Sequence, residues 1–129
     1  MPKQVCHSCQ ELLQAMIAFN TVNSNISGEL DAELALSQFL ESQANFLGFS
    51  TQRLPIKGQS FNLLVSYPVS QDAPWLLFES HLDTVSIEEM TIDPLGGQLK
   101  NNRIYGRGAC DTKGSGAAML YALKRYAEE

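Results

Sequence analysis

The sequence predicts a single α/β domain with helices at both ends and short strands between them. Apolar residues recur at helical spacing in residues 6–17, 32–47 and 116–127, whereas residues 49–105 carry short apolar runs bounded by Pro and Gly. The 129 residues, 44% of them hydrophobic, are enough for one packed core but not for two well-built domains. The order helix, helix, several strands, helix indicates an α/β or α+β layer protein.

Two helices are predicted in the N-terminal third. Residues 6–17 give a first helix of about four turns, and the polar residues 21–27 give a loop. Ser27 then caps a second helix with Glu29 and Asp31 in its first turn, where the helix dipole favours acids. Gly48 ends that helix. Its buried stripe is predicted to be Ala32, Leu36, Phe39, Leu40 and Leu47.

The middle of the chain predicts strands. Residues 49–54 and 61–67 are short β-like runs, and the continuously apolar residues 75–78 suit a central strand covered on both faces. Residues 98–105 predict a hairpin that turns at Asn101 and Asn102, because asparagine tolerates positive φ.

Composition excludes several classes of protein. The net charge of −5 argues against a nucleic-acid binder, whose affinity depends on Lys and Arg. No apolar stretch approaches the roughly 20 residues of a membrane helix, and residues 1–7 lack the apolar core of a signal peptide. The odd count of three cysteines fits a reducing compartment. We therefore expect a cytoplasmic protein that binds neither nucleic acid nor membrane.

Polar residues that could do chemistry cluster at two places. His81 and Asp83 directly follow the apolar run, and alternation along an extended chain puts both on one side. Asp111 precedes the last helix, where the dipole favours an ionised carboxylate. Imidazole and carboxylate are ligands that zinc accepts, although a lone histidine at a sheet edge is more often structural. From these residues alone, a zinc site and a structural role both remain open.

The motifs together resemble the paired metal-site signature of the M20 metallopeptidase family. They are Ser-His-Leu-Asp-Thr-Val at 80–85, Asp93-Pro94, and Tyr-Gly-Arg-Gly at 105–108 followed by Asp111 and Lys113-Gly114. The resemblance covers most of the chain. It implies an α/β fold in which residues 1–129 form the N-terminal portion of a zinc-hydrolase catalytic domain, with a mixed sheet flanked by helices.

The resemblance also assigns roles to individual residues. It implies that His81 ligates one zinc ion, that Asp111 bridges two, and that Asp83 is a catalytic-site residue that orients the His81 ring rather than a ligand. Cobalt or manganese could replace zinc. The family pattern further implies a cis peptide between Asp111 and Thr112. The implied reaction is amide hydrolysis, in which two zinc ions polarise the carbonyl and activate water while a glutamate takes the proton.

That glutamate and the remaining zinc ligands are not found in this sequence. In the family they include a consecutive Glu-Glu pair beyond the bridging aspartate, and a separate lid domain follows. Glu128-Glu129 does not fit the pair, because about 15 helical residues would place it roughly 20 Å or more from Asp111. We therefore expect half of a di-zinc site, weak zinc binding and no activity from this chain alone.

Four other residue groups have alternative interpretations. Cys6 and Cys9 could be half of a zinc knuckle, but their helical spacing favours the core. Cys110 is a reactive thiol or a small filler. Arg107 contacts a substrate carboxylate or pairs with local groups, and Lys113 has a structural or electrostatic role.

The implied substrate is an N-acyl amino acid or short peptide, with the sequence of residues 106–114 most like acetylornithine deacetylases. Substrate-binding residues are not identified by the sequence. A homodimer of the complete enzyme is compatible with the resemblance. The rival hypotheses are a non-catalytic binding or regulatory module that keeps the first half of the fold, and a chain whose unpaired sheet edges cause it to self-associate.

Overall fold

The computed structural model describes residues 5–129, so part of the N-terminal segment discussed above lies outside the described residues. Its elements, in chain order, are α1 (Cys9–Ile17), α2 (Ser24–Ser27), α3 (Leu34–Phe46), β1 (Ser50–Pro55), β2 (Phe61–Ser66), β3 (Gln98–Lys100), β4 (Arg103–Tyr105) and α4 (Lys113–Glu128). This mixture of helices and short strands confirms the α/β class.

Helix α1 begins at Cys9, three residues later than the apolar spacing predicts. The Ser8 hydroxyl accepts a hydrogen bond from the Glu11 amide at 3.1 Å, and the Glu11 carboxylate accepts from the His7 amide at 2.7 Å. These contacts fix the start of the helix. The Cys6 amide instead donates to Oε1 of Gln43 at 2.9 Å, which holds residue 6 in an extended approach to α3.

The second predicted helix starts later than predicted, and the prediction that Ser27 caps it is wrong: Ser27 ends a separate short helix that lies within the predicted loop at residues 21–27. Asn23 caps the short helix α2, which Gly28 ends at φ +75°. The Asp31 carboxylate accepts hydrogen bonds from both the amide and the hydroxyl of Ser60, which holds residues 30–33 in turns. Helix α3 therefore starts only at Leu34. Its termination at Gly48, with φ +86°, agrees with the prediction. Its predicted buried stripe agrees in part: Leu36 is buried and Phe39 and Leu40 pack against the core, whereas Ala32 and Leu47 lie outside the helix.

The predicted hairpin at residues 98–105 forms, and the two β-like runs at residues 49–54 and 61–67 pair with each other as a second, unpredicted hairpin, so that each hairpin is a separate two-stranded antiparallel sheet. Strand β1 pairs with β2, and Leu99 of β3 faces Ile104 of β4. Asn101 and Asn102 have φ of +51° and +58°, as a tight turn of this kind requires. The resemblance implies a mixed sheet, which would contain parallel as well as antiparallel strand pairs. Among residues 5–129, the parallel pairing is limited to one isolated bridge between Val22 and Thr84.

The prediction of a buried central strand at residues 75–78 is wrong. The segment is not assigned to a strand, and its side chains are exposed by 66–78%. A continuously apolar run becomes a central strand only when strands pair with both of its edges and other layers cover its faces. No strand within the described part of the chain does so.

The core lies between α1, α3 and α4. Leu12 and Met16 of α1 pack with Leu36 of α3 and Ala117 of α4, all at most 1% exposed. Leu82, between the two polar residues of the predicted site, packs against this cluster. The core therefore anchors the segment that carries His81 and Asp83. Within residues 5–129, no helix combines the length and apolar character needed to cross a membrane.

Candidate metal centre

The structure brings His81, Asp83 and Asp111 together. The Nδ1 atom of His81 lies 3.0 Å from the carbonyl oxygen of Asp83 and 3.2 Å from Oδ1 of the same residue. The Nε2 atom lies 3.1 Å from Oδ1 of Asp111. The three residues that the sequence singled out thus meet around one imidazole ring.

This geometry fixes the roles of the two ring nitrogens. A carbonyl oxygen can only accept a hydrogen bond, so Nδ1 of His81 donates to Asp83. In the neutral ring, Nε2 then carries a lone pair that faces a carboxylate oxygen. Two such atoms at 3.1 Å require a proton or a metal ion between them. The arrangement that orients His81 is therefore the arrangement that prepares Nε2 as a ligand.

The pKa of His81 is shifted by opposing effects of burial and of the two neighbouring aspartates. Partial burial lowers the pKa, but hydrogen bonding to the Asp83 carbonyl and to the Asp111 carboxylate, together with both negative charges, outweighs it. The net effect raises the pKa above its ordinary value. A metal cation would benefit from the same two negative charges.

Asp83 is held by residues that follow α1. Its Oδ2 accepts a hydrogen bond from the Asn23 side-chain amide at 2.8 Å. The Thr21 hydroxyl donates to the Leu82 carbonyl at 2.7 Å, and the Asn23 amide donates to the Thr84 carbonyl at 2.8 Å. Sequence analysis predicted only a loop here and missed Thr21 and Asn23 as site residues, because a polar loop gives no local signal of its partner sixty residues away.

Asp111 ends a tight loop between β4 and α4. The Arg107 amide donates to the Pro94 carbonyl at 2.7 Å, and the Lys113 amide donates to the Gly108 carbonyl at 2.9 Å. Gly108 has φ +79°, and a Cβ there would lie 2.8 Å from the Thr84 side chain, so glycine is needed at this position. The Asp111–Thr112 peptide is cis, as the resemblance implies. The Asp111 side chain is 89% exposed and faces His81.

Lys113 has a structural position at the start of α4. Its side chain is 1% exposed, and its ammonium group donates to the Phe19 carbonyl at 2.8 Å. Burial lowers the pKa of Lys113 to about 8. This contact ties the loop that carries Asp111 to the end of α1.

An open cleft of about 240 Å³ surrounds these groups. It is lined by His81, Asp83 and Asp111, and by the loop residues Arg107 and Cys110. Cys110 is an exposed thiol on this surface, whereas Cys6 is buried and Cys9 half-buried. Burial raises the pKa of both of these helix-side thiols, which agrees with a core role rather than a zinc knuckle.

The donor set fits part of a zinc site. Zinc bonds of about 2.1 Å at a tetrahedral angle separate two ligand atoms by roughly 3.4 Å, which is about 0.3 Å more than the 3.1 Å between Nε2 of His81 and Oδ1 of Asp111. Within residues 5–129, however, no three His, Cys, Asp or Glu side chains are grouped to hold a metal ion. A catalytic zinc takes three protein ligands, so these two form an incomplete set.

The terminal acidic pair does not join this cluster. Glu128 pairs with Lys124 at 2.6 Å, one turn away at the far end of the 16-residue helix α4. At 1.5 Å per residue, that end lies roughly 20 Å or more from Asp111. The exclusion of Glu128-Glu129 from the site therefore agrees with the structure.

Comparison with known proteins identifies relatives for most of the chain. Residues 77–129 match the model of Peptidase family M20/M25/M40. A succinyl-diaminopimelate desuccinylase of Legionella pneumophila (strain Lens) is 33% identical over 119 residues, covering 90% of this chain and 29% of that protein. An acetylornithine deacetylase of Pasteurella multocida is 32% identical over 120 residues, covering 89% of this chain and 31% of that protein. The chain thus spans less than a third of the length of these curated relatives.

Proposed function

The chain belongs to peptidase family M20/M25/M40, and we propose that it supplies His81 and Asp111 to the metal site of an amide hydrolase. The family and its named relatives indicate a hydrolase. The observation that carries the proposal is the 3.1 Å approach of Nε2 of His81 to Oδ1 of Asp111, with Nδ1 already committed to Asp83. That arrangement leaves the Nε2 lone pair of His81 and the carboxylate of Asp111 facing the same point between them.

Each residue has a defined task in the proposed reaction. His81 and Asp111 would hold zinc, Asp111 would also serve a second ion, and cobalt or manganese could substitute. When bound, zinc supplies Lewis-acid polarisation of the scissile carbonyl and of water. Asp83 keeps the proton of His81 on Nδ1 and the ring in place, and Asn23 in turn orients Asp83.

The proposed substrate is an N-acyl amino acid or short peptide. The desuccinylase and deacetylase relatives are named for the removal of small acyl groups, and residues 106–114 favour the acetylornithine type. We propose that residues 1–129 are the N-terminal portion of the catalytic domain, because two ligands alone do not complete a catalytic zinc site. On this proposal the 129-residue chain hydrolyses nothing by itself. The three free thiols support a cytoplasmic location.

Zinc titration of paired histidine variants tests the proposal. We expect the 129-residue chain to bind zinc weakly, and His81→Ala to abolish the heat signal in calorimetry because it removes one of only two ligands. His7→Ala is the matched control, since His7 is an exposed histidine whose ring contacts Phe46. Equal zinc affinity in His81→Ala and the parent chain would contradict the proposal.

Replacement of Asp83 by asparagine tests its orienting role. We expect Asp83→Asn to lower zinc affinity about 10- to 100-fold, because it removes the carboxylate charge 3.2 Å from Nδ1 of His81 and leaves only the backbone carbonyl of residue 83 to hold the ring. Nitrogen-15 NMR of the His81 imidazole should show a larger share of the Nε2-protonated tautomer. If both the tautomer ratio and the zinc affinity were unchanged, Asp83 would have no orienting role at the site.

The incomplete ligand set favours one alternative, a binding or regulatory module without catalysis. No cluster of three candidate ligands occurs in the described part of the chain. Such a module would have the same free energy of unfolding with and without zinc. The metal-site proposal instead requires zinc to stabilise the parent chain but not His81→Ala.

A further inference from the structure

We infer that Arg107 binds a carboxylate of the substrate in the cleft beside His81 and Asp111. The inference rests on the proposed function, and it narrows the substrate to amides that carry a free carboxylate. Arg107 lines the same cleft as the candidate ligands. It therefore lies beside the space that a substrate would enter.

The Arg107 side chain lacks a partner. Its Nε atom is buried, yet no hydrogen-bond acceptor within residues 5–129 reaches it. Nor does any carboxylate in the described ranges form an ion pair with this guanidinium. By contrast, Arg53 is paired with Glu41 and Lys124 with Glu128. A buried N–H donor without an acceptor costs free energy, and an anion that accepts a hydrogen bond from this guanidinium would remove that cost.

The backbone holds Arg107 in a fixed position. Its amide donates to the Pro94 carbonyl at 2.7 Å. Gly106 and Gly108 on either side adopt φ of +155° and +79°. The fixed backbone keeps the base of the side chain beside the cleft, and the planar guanidinium matches a carboxylate through two parallel hydrogen bonds.

The charges around the cleft determine what can bind there. Asp83 and Asp111 line the same surface and repel an incoming carboxylate. Arg107 is the cation among the cleft-lining residues, so it offsets that repulsion and selects which end of the substrate faces the loop. A neutral amide gains nothing from this contact. The expected preference is therefore for N-acyl amino acids over their uncharged amide analogues.

Paired ligands test the inference directly. N-acetyl-L-alanine and N-acetyl-L-alaninamide share the scissile amide and differ only in the carboxylate. In NMR titrations of the 129-residue chain, with and without zinc, we expect the acid to bind at least about tenfold more tightly, as one charge-assisted contact provides. Arg107→Gln should bring the ratio close to one. Arg103→Gln, at an exposed arginine on β4, should keep the parent ratio.

A second variant separates binding from folding. Arg107→Lys keeps the positive charge but loses the two parallel N–H donors of the guanidinium. We therefore expect this variant to fold and to retain part of the preference for the acid. The inference is overturned if the parent chain shows no such preference, or if Arg107→Gln or a folded Arg107→Lys variant retains it in full. The inference is also overturned if either Arg107 variant unfolds at a lower temperature but keeps the parent acid-to-amide affinity ratio. That result would mean that Arg107 pairs with a carboxylate of the protein rather than of the ligand.

The zinc measurements keep the two proposals apart. If the parent chain binds zinc but Arg107 has no effect on the acid-to-amide ratio, the inference fails and the proposed function stands. If the parent chain binds no zinc, the proposed function fails, while the zinc-free titrations still report whether Arg107 selects a carboxylate.

Discussion

Asp111→Ala is expected to reduce the zinc affinity of the chain by about two orders of magnitude or more, since loss of an orienting residue alone costs 10- to 100-fold. The change removes the carboxylate that faces Nε2 of His81 and, on the proposed bridging role, a ligand from each of two ions. In a longer protein with amidase activity, the same change should abolish both zinc occupancy and hydrolysis. Zinc content by elemental analysis and affinity by calorimetry measure the effect.

Asp72→Ala is the matched control for this change. Asp72 is an exposed aspartate outside the cleft, so its loss alters net charge by the same amount without touching the site. Equal losses of affinity in the two variants would mean that Asp111 acts only through long-range charge. A normal zinc stoichiometry in Asp111→Ala would exclude the bridging role.

The contribution of Lys113 to the free energy of unfolding is expected to rise between about pH 8 and pH 10.5, because Lys113 has a pKa of about 8 when folded and an ordinary value of 10.5 when unfolded. Below pH 8 both states carry the proton, and the full cost of the buried charge is present. Between the two values the folded chain has lost the proton and the unfolded chain keeps it, so unfolding takes up a proton and stability increases with pH. The whole rise is about 3 kcal/mol.

Lys113→Met is expected to remove this rise and to increase the free energy of unfolding at pH 7 by about 2 kcal/mol. Methionine fills similar space without a charge, and the gain is partly offset because the Phe19 carbonyl loses its hydrogen bond. Urea unfolding at several pH values measures the effect. Lys100→Met, on the exposed strand β3, should retain the parent pH profile. A pH profile of Lys113→Met that matches the parent would show that another group titrates in this window.

Local chemistry explains which elements the sequence could predict. The hairpin of β3 and β4 depends on Asn101 and Asn102, and the end of α3 depends on Gly48, so neighbouring residues determine both. The start of α3 was missed because Asp31 bonds to Ser60, 29 residues away, and thereby competes with helix formation. The strand at residues 75–78 was predicted from hydrophobicity alone, which does not reveal whether other strands cover it.

The sequence alone determined the α/β class, the family resemblance, and the pairing of His81 with Asp83, because each depends on residue type and short spacing. Only the tertiary structure decided that Asn23 holds Asp83, that Lys113 is buried against the Phe19 carbonyl, and that Arg107 has no anionic partner among the described residues. The first two contacts join residues 60 and 94 positions apart. Periodicity and capping act over a few residues, so such contacts emerge only when the chain is packed.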